Sequence, residues 1–137
     1  VLTKVQVVFD CADPERVARF WAAALNLKLD WEWTDPEAVE YMRSNGLAES
    51  DMGARSAASD PEGVKPRFFF QRVPEGKAVK NRVHVDVKAG EGELESEVER
   101  LVGLGATVVH RHEGDFGPFH EIHFVMHDPE GNEFCVS

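Results

Sequence analysis

The amino-acid sequence predicts an α+β fold of two βαβββ modules, within a single domain spanning residues 1–137. The first module covers about residues 1–76 and the second about 77–137. Three observations predict it. The tetrapeptide Asp-Pro-Glu-Gly stands at residues 60–63 and again at 128–131, each time ahead of an apolar run, Phe68-Phe69-Phe70 or Phe134-Cys135-Val136. Pro after Asp and before Gly signals a tight turn, so each copy reads as a turn feeding a strand. An alternating strand followed by an amphipathic helix also occurs twice, and 137 residues with 42% hydrophobic content suffice for a core.

Leu2 to Asp10 alternates, with Val5, Val7 and Phe9 on one face and Lys4, Gln6, Val8 and Asp10 on the other, which is the period of a half-buried strand. Asp13 then caps a helix that opens on Pro14, where the missing N–H costs nothing. Val17, Phe20, Trp21, Ala24 and Leu25 form its apolar stripe, and the helix should end near Asn26. Strands follow over Leu27 to Trp33, around Ala54 to Ser59, and over Arg67 to Val73. Between them Thr34 to Asp51 breaks the symmetry: Asp35-Pro36-Glu37 starts a short helix, Asn45-Gly46 a turn, and the segment reads as an insertion over one end of the sheet.

The plan restarts at Asn81. Val83, Val85 and Val87 share one strand face, and Arg82, His84, Asp86 and Lys88 share the other. Glu91, Glu93 and Glu95 gather where a helix N-terminus favours negative charge, Leu94, Val98, Leu101 and Val102 make the stripe, and Gly103 and Gly105 suit the helix end. Ala106 to His112, Glu121 to His127 and a run from Asn132 read as the remaining strands, with Gly114 to Phe119 as a mobile loop.

No apolar run approaches the roughly 20 residues that span a bilayer, and the charged N-terminal half does not read as a signal peptide. A net charge of −10 gives nucleic-acid phosphates nothing to hold. Two cysteines build no disulfide framework, so a reduced, cytoplasmic protein is expected. The chain begins at Val1 rather than Met, from which a few leading residues are expected to be missing. Motifs of a nucleophile, a phosphate-binding glycine loop or a CxxC pair are not found.

A sheet whose aliphatic face lies under helices presents its other face elsewhere. That face carries Gln6 in the first strand and His84 at the equivalent place of the second module. In the last strand Phe134 and Val136 should pack inward, leaving Glu133 and Cys135 opposite. If the two copies pair their sheets into a cupped mixed sheet, Gln6, Gln71, His84, Glu133 and Cys135 belong to one small-molecule pocket. The bland readings are a hydrogen-bonded structural histidine, a solvated Glu133 and a cysteine acting as a small hydrophobe. His110 with His112, and Glu121 with His123, are further pairs at the i, i+2 spacing that chelates metal.

The stretch from Phe9 to Pro14 with Phe20-Trp21, then Phe70 to Glu75, Lys80 to Asp86, and Asp128 to Val136, resembles the vicinal oxygen chelate superfamily over nearly the whole chain. That superfamily includes glyoxalase I, extradiol dioxygenases, and fosfomycin and bleomycin resistance proteins. Within it, the chain resembles glyoxalase-like domains more closely. The resemblance implies the fold, a small-molecule ligand and a homodimer, whereas activities vary widely among members.

In metal-dependent members side chains from the first, fourth, fifth and eighth strands hold the ion. By position Gln6 and His84 match the first and fifth-strand ligands. Cys135 stands where the last ligand is normally Glu, with Glu133 two residues earlier, and the fourth-strand place falls near Phe70, beside Gln71. Gln6 and His84 alone make a poor site for a hard divalent ion, whereas Cys135 as a thiolate would complete a softer set able to take zinc. Two functions therefore stand. One is an enzyme of lyase or isomerase type other than classical glyoxalase I, with His84 and Glu133 as acid/base candidates. The other is a metal-free binding or resistance protein.

Overall fold

The computed structural model describes residues 3–137, so Leu2, where the sequence starts the first strand, lies outside the described residues. The chain divides into two compact units, Val1–Gly76 and Lys77–Ser137. Eight strands and three α-helices are found among the described residues.

In the first unit β1 (Gln6–Cys11) runs into α1 (Pro14–Leu25). Asp13 accepts the Arg16 N–H, Pro14 opens the helix, and Asn26 ends it in the left-handed conformation at φ 55°. The side-chain cap and the left-handed terminus satisfy backbone groups that the helix leaves open. The buried face of α1, with Val17, Phe20 and Trp21 at its centre, packs on β3 (Arg55–Ser59) and β4 (Arg67–Arg72). The sheet order is β1-β4-β3-β2, with β1 and β4 parallel and the other pairings antiparallel.

Register decides what each face carries. Phe9 lies opposite Phe70 and Val7 opposite Phe68, on the helix side, where the Phe9 and Phe70 rings stack at 5.3 Å. Phe70 is fully buried there. This corrects the placement of Phe70 at a ligand position, because the residues on the other face of β4 are Arg67, Phe69 and Gln71. Strand β2 is only Lys28–Leu29, shorter than the expected Leu27 to Trp33. Past Asp30 the tie to β3 passes to a side chain, the Trp33 indole N–H donating to the Arg55 carbonyl at 2.9 Å. Helix α2 (Pro36–Ser44) forms where Asp35-Pro36 predicts it, capped by Asp35 and with none of its residues buried.

The second unit repeats the order as β5-β8-β7-β6, again with its first and last strands parallel. These are β5 (Val85–Val87), α3 (Leu94–Leu104), β6 (Thr107–Phe116), β7 (Phe119–His127) and β8 (Glu133–Val136). Its core is Val87, Val98, Leu101, Met126, Phe134 and Val136. Two expectations fail here. Val83 lies outside the strand and is 88% exposed, so β5 is too short to carry it onto the buried face. Gly114 to Phe119 is not a loop: β6 and β7 stay paired from Gly114–Glu121 to Phe116–Phe119. Only Gly117 and Pro118 make the turn, with Gly117 at φ 59°, the left-handed region a two-residue hairpin needs. At its tip His120 Nδ1 meets Asp115 at 2.7 Å, and this bond, with a second to Glu113, raises the His120 pKa.

The duplicated turns are built alike. Asp60 accepts the N–H groups of Glu62, Val64 and Lys65, while Asp128 accepts those of Glu130 and Asn132 and the Asn132 amide. Gly63 and Gly131 take φ 71° and 83°.

Candidate functional site

Pairing brings one polar face together in the second unit. Asp86 lies opposite Cys135, Cys135 opposite Val125, and Val125 opposite His110; one row away Glu133 lies opposite His127. The other face of these strands is the core, where Phe134, Val136 and Met126 are fully buried. The alternation expected for β8 is therefore observed, and its polar residues Glu133 and Cys135 open onto a cleft of about 480 Å³. His84, Asp86, Lys80, Lys88 and His123 line the same cleft.

Within it the donor atoms of His84, Asp86 and Cys135 all lie within 4.8 Å of one another. His84 Nδ1 is 3.1 Å from Asp86 Oδ1. A carboxylate facing Nδ1 fixes the ring orientation and favours the tautomer that carries its hydrogen there. Burial and the Asp86 charge raise the Cys135 thiol, against the smaller pull of Lys80 and Lys88, so Cys135 is a neutral thiol at pH 7 rather than a nucleophile. Asp86 is the residue that sequence reasoning left without a role. Its signal was present: it shares the His84 strand face at the i+2 position.

Glu133 has a different setting from the one expected of an acid/base group. Its Oε2 accepts the Asn81 N–H at 2.9 Å and lies 3.1 Å from Lys77 Nζ. Burial pushes the carboxyl up, but the Asn81 and Glu133 backbone N–H groups and the Lys77 ammonium outweigh it and hold the pKa at about 2. At pH 7 such a carboxylate has no proton to give and is a very weak base. It latches the entrance of the second unit onto β8.

Gln6 and Gln71 lie in the first unit, each engaged within its own sheet. Gln6 Oε1 accepts from Arg67 Nη1 at 2.8 Å, and Gln71 Nε2 donates to Asp10 Oδ1 at 2.8 Å. Both are on the face away from α1. The structure thus gathers His84, Glu133 and Cys135 on one cleft, and Gln6 and Gln71 on a different sheet.

For a divalent ion, the donors that converge are an imidazole, a carboxylate and a thiol. That set suits zinc, which accepts nitrogen, oxygen and sulfur in a tetrahedron; it is poor for Mg²⁺, which wants an oxygen octahedron. Glu133 is held elsewhere, and the Gln6 oxygen already accepts a guanidinium N–H.

The model of a family described as a glyoxalase-like domain matches residues 6–137. No curated protein matches the chain. Among solved structures, a glyoxalase/bleomycin resistance protein/dioxygenase family enzyme from Burkholderia phytofirmans PsJN superposes with a TM-score of 0.63 at 14% identity, over 96% of this chain and 94% of that one. The fosfomycin resistance protein FosX from Mesorhizobium loti gives 0.59 at 12% identity, over 99% and 89%. Lactoylglutathione lyase from Agrobacterium tumefaciens gives 0.57 at 13% identity, over 98% and 91%. At these identities the likeness is one of fold.

Proposed function

Because the chain belongs to the glyoxalase-like domain family, we propose that it binds a small organic molecule in the cleft of its second unit, with His84, held by Asp86, exchanging a proton with that ligand. The observation that carries this reading is the convergence of His84, Asp86 and Cys135 within 4.8 Å on one cleft wall. A carboxylate that orients one imidazole nitrogen leaves the other to accept a proton from a ligand. Lys80 and Lys88 supply cationic donors for an oxygen-rich or anionic ligand, and the Cys135 thiol supplies a weak one. The chemistry fits a lyase or isomerase step that removes a proton beside a carbonyl or similar oxygen. Glu133 acts in this reading as a structural latch. Gln6 and Gln71 are retained as polar candidates on the first unit's sheet.

The second reading is a metal-free binder or resistance protein of the bleomycin-resistance kind. It is favoured by Cys135, a neutral thiol at the place where the resemblance to metal-dependent members implies a carboxylate. Under either reading we propose a cytoplasmic homodimer. No helix among the described residues is long and apolar enough to cross a membrane, and neither Cys11 nor Cys135 is in a disulfide.

Thermal-shift titration of the unmodified protein, His84→Ala and Asp86→Asn against small hydroxy acids, oxo acids and glycopeptide antibiotics tests both readings. An enzyme should also exchange a carbon-bound hydrogen of its ligand for deuterium in D₂O, and lose that exchange on His84→Ala. Binding without exchange selects the second reading. Ligands that bind the unmodified and His84→Ala proteins equally, without shifting NMR signals of the cleft, would refute the site.

A further inference from the structure

The sequence offers two chelating pairs, His110 with His112 and Glu121 with His123, on strands whose register was not known. The structure puts them on one surface. His112 lies directly opposite His123, Gly114 opposite Glu121, and His110 one step along opposite Val125. Side chains at directly opposed positions of an antiparallel pair stand on the same face. The His112 and His123 rings are 4.8 Å apart, centre to centre, and His112 Nε2 is 3.9 Å from Glu121 Oε1. His120, on the opposite face, is occupied by Asp115 and Glu113 and takes no part.

From this geometry we propose a binding site for a borderline divalent cation, of the zinc, copper(II) or nickel(II) class, held by His112, His123 and Glu121 across the β6–β7 hairpin. It adjoins the His84–Asp86–Cys135 wall without sharing a ligand with it: Glu121 and His123 border the same cleft from the hairpin side. Two imidazole nitrogens on one tetrahedral ion stand about 3.3 Å apart, as follows from Zn–N bonds near 2.0 Å. Rings already facing each other at 4.8 Å need only small rotations to reach that spacing. Glu121 is exposed and free to turn its carboxylate toward the ion. Solvent fills the fourth position, since the hairpin surface here is open.

Gly114 is the feature that makes room. A Cβ added there would lie 3.2 Å from His112 Nε2, so the ring leans over the glycine toward Glu121. An alanine would crowd the ring away from the nitrogen and oxygen it must share an ion with. Gly114 does not have a positive φ, so the substitution does not strain the backbone. The hairpin pairs around it are long and continuous from His110 to Phe116.

Calorimetric titration of chelator-treated full-length protein with ZnCl₂, repeated with CuCl₂ and followed by electron paramagnetic resonance, tests the site. Expected are an ion per chain that stays bound in His84→Ala, nitrogen hyperfine coupling from two imidazoles, and affinity of that ion at least 10-fold weaker in His112→Ala and in His123→Ala. Glu121→Gln and Gly114→Ala should weaken it several-fold, with circular dichroism unchanged. His84→Ala and Cys135→Ser should leave this binding intact. Unchanged affinity in both His112→Ala and His123→Ala, or binding abolished by His84→Ala alone, would overturn the proposal.

Discussion

Glu133 illustrates how a residue of catalytic type can be recruited to hold a chain in place. Its carboxylate is bound by the Asn81 N–H and the Lys77 ammonium, and its side chain is only 13% exposed. A carboxyl held at about 2 in the folded protein, below its unfolded value near 4.3, stabilises fully above the unfolded value. That contribution is lost as pH falls from about 4.5 toward 2. Glu133→Ala should cost about 1–3 kcal/mol at pH 7. The difference from the unmodified protein should shrink in thermal unfolding at pH 2.5; an equal cost at both pH values would deny the latch. Cys135 is the complementary case. Cys135→Glu adds a hard, charged oxygen beside His84 and Asp86, so Mn²⁺ affinity should rise at least tenfold by Mn²⁺ titration followed by electron paramagnetic resonance. The unmodified protein is expected to show no glyoxalase I turnover of methylglyoxal with glutathione.

At the scale of elements, the two Asp-Pro-Glu-Gly turns form a natural comparison. Both aspartates gather backbone N–H groups with carboxylates shielded from solvent: Asp128 also accepts the Asn132 amide, and the Asp60 side chain, 3% exposed, lies 3.9 Å from the Lys65 ammonium. Losing a carboxylate from a buried network leaves donors unpaired without water to replace it. Asp128→Ala and Asp60→Ala should therefore each cost about 1–3 kcal/mol in urea denaturation. No measurable cost from either substitution would show that these turns do not depend on their aspartates. These turns, both major helices and their caps were legible in the sequence because each depends on local chemistry: Asp13, Pro14, Asn26 and Gly105 all act within a turn of their own position. What was not legible depends on pairing. Phe70 goes to the core because it lies opposite Phe9, and the glycines at 114 and 117 proved compatible with a hairpin because residues on both sides found partners. Asp86 is a mixed case: its place two residues from His84 was legible, but its nearness to Cys135 exists only through the β5–β8 register.

The whole chain carries two sheets of one topology with cores of different weight. The first unit packs Phe9, Phe20, Trp21, Phe68 and Phe70 together, while the second relies on smaller residues and leaves nearly every residue of β6 exposed. Val108, Val109, Phe116 and Phe119 are exposed apolar residues on that hairpin, and β6 is an edge strand of its sheet. Apolar edges of this kind are normally covered by a partner. A homodimer is the expected state, and light scattering should report twice the 15.3 kDa of the chain at micromolar concentration. A stable mass of 15.3 kDa would count against it.

The parallel pairing of first strand with last has a consequence for synthesis. Gln6 and its partner Arg67 are 61 residues apart and Val85 and its partner Phe134 are 49 apart, so β1 and β5 each leave the ribosome long before their partners exist. At ordinary elongation rates each strand waits roughly 3–12 s. During that interval Val7 and Phe9, or Val85 and Val87, have only the following helix to shield them, and the module closes when its final strand emerges. Slowing translation between the two strands should lengthen the exposure of each nascent edge and raise its capture by chaperones.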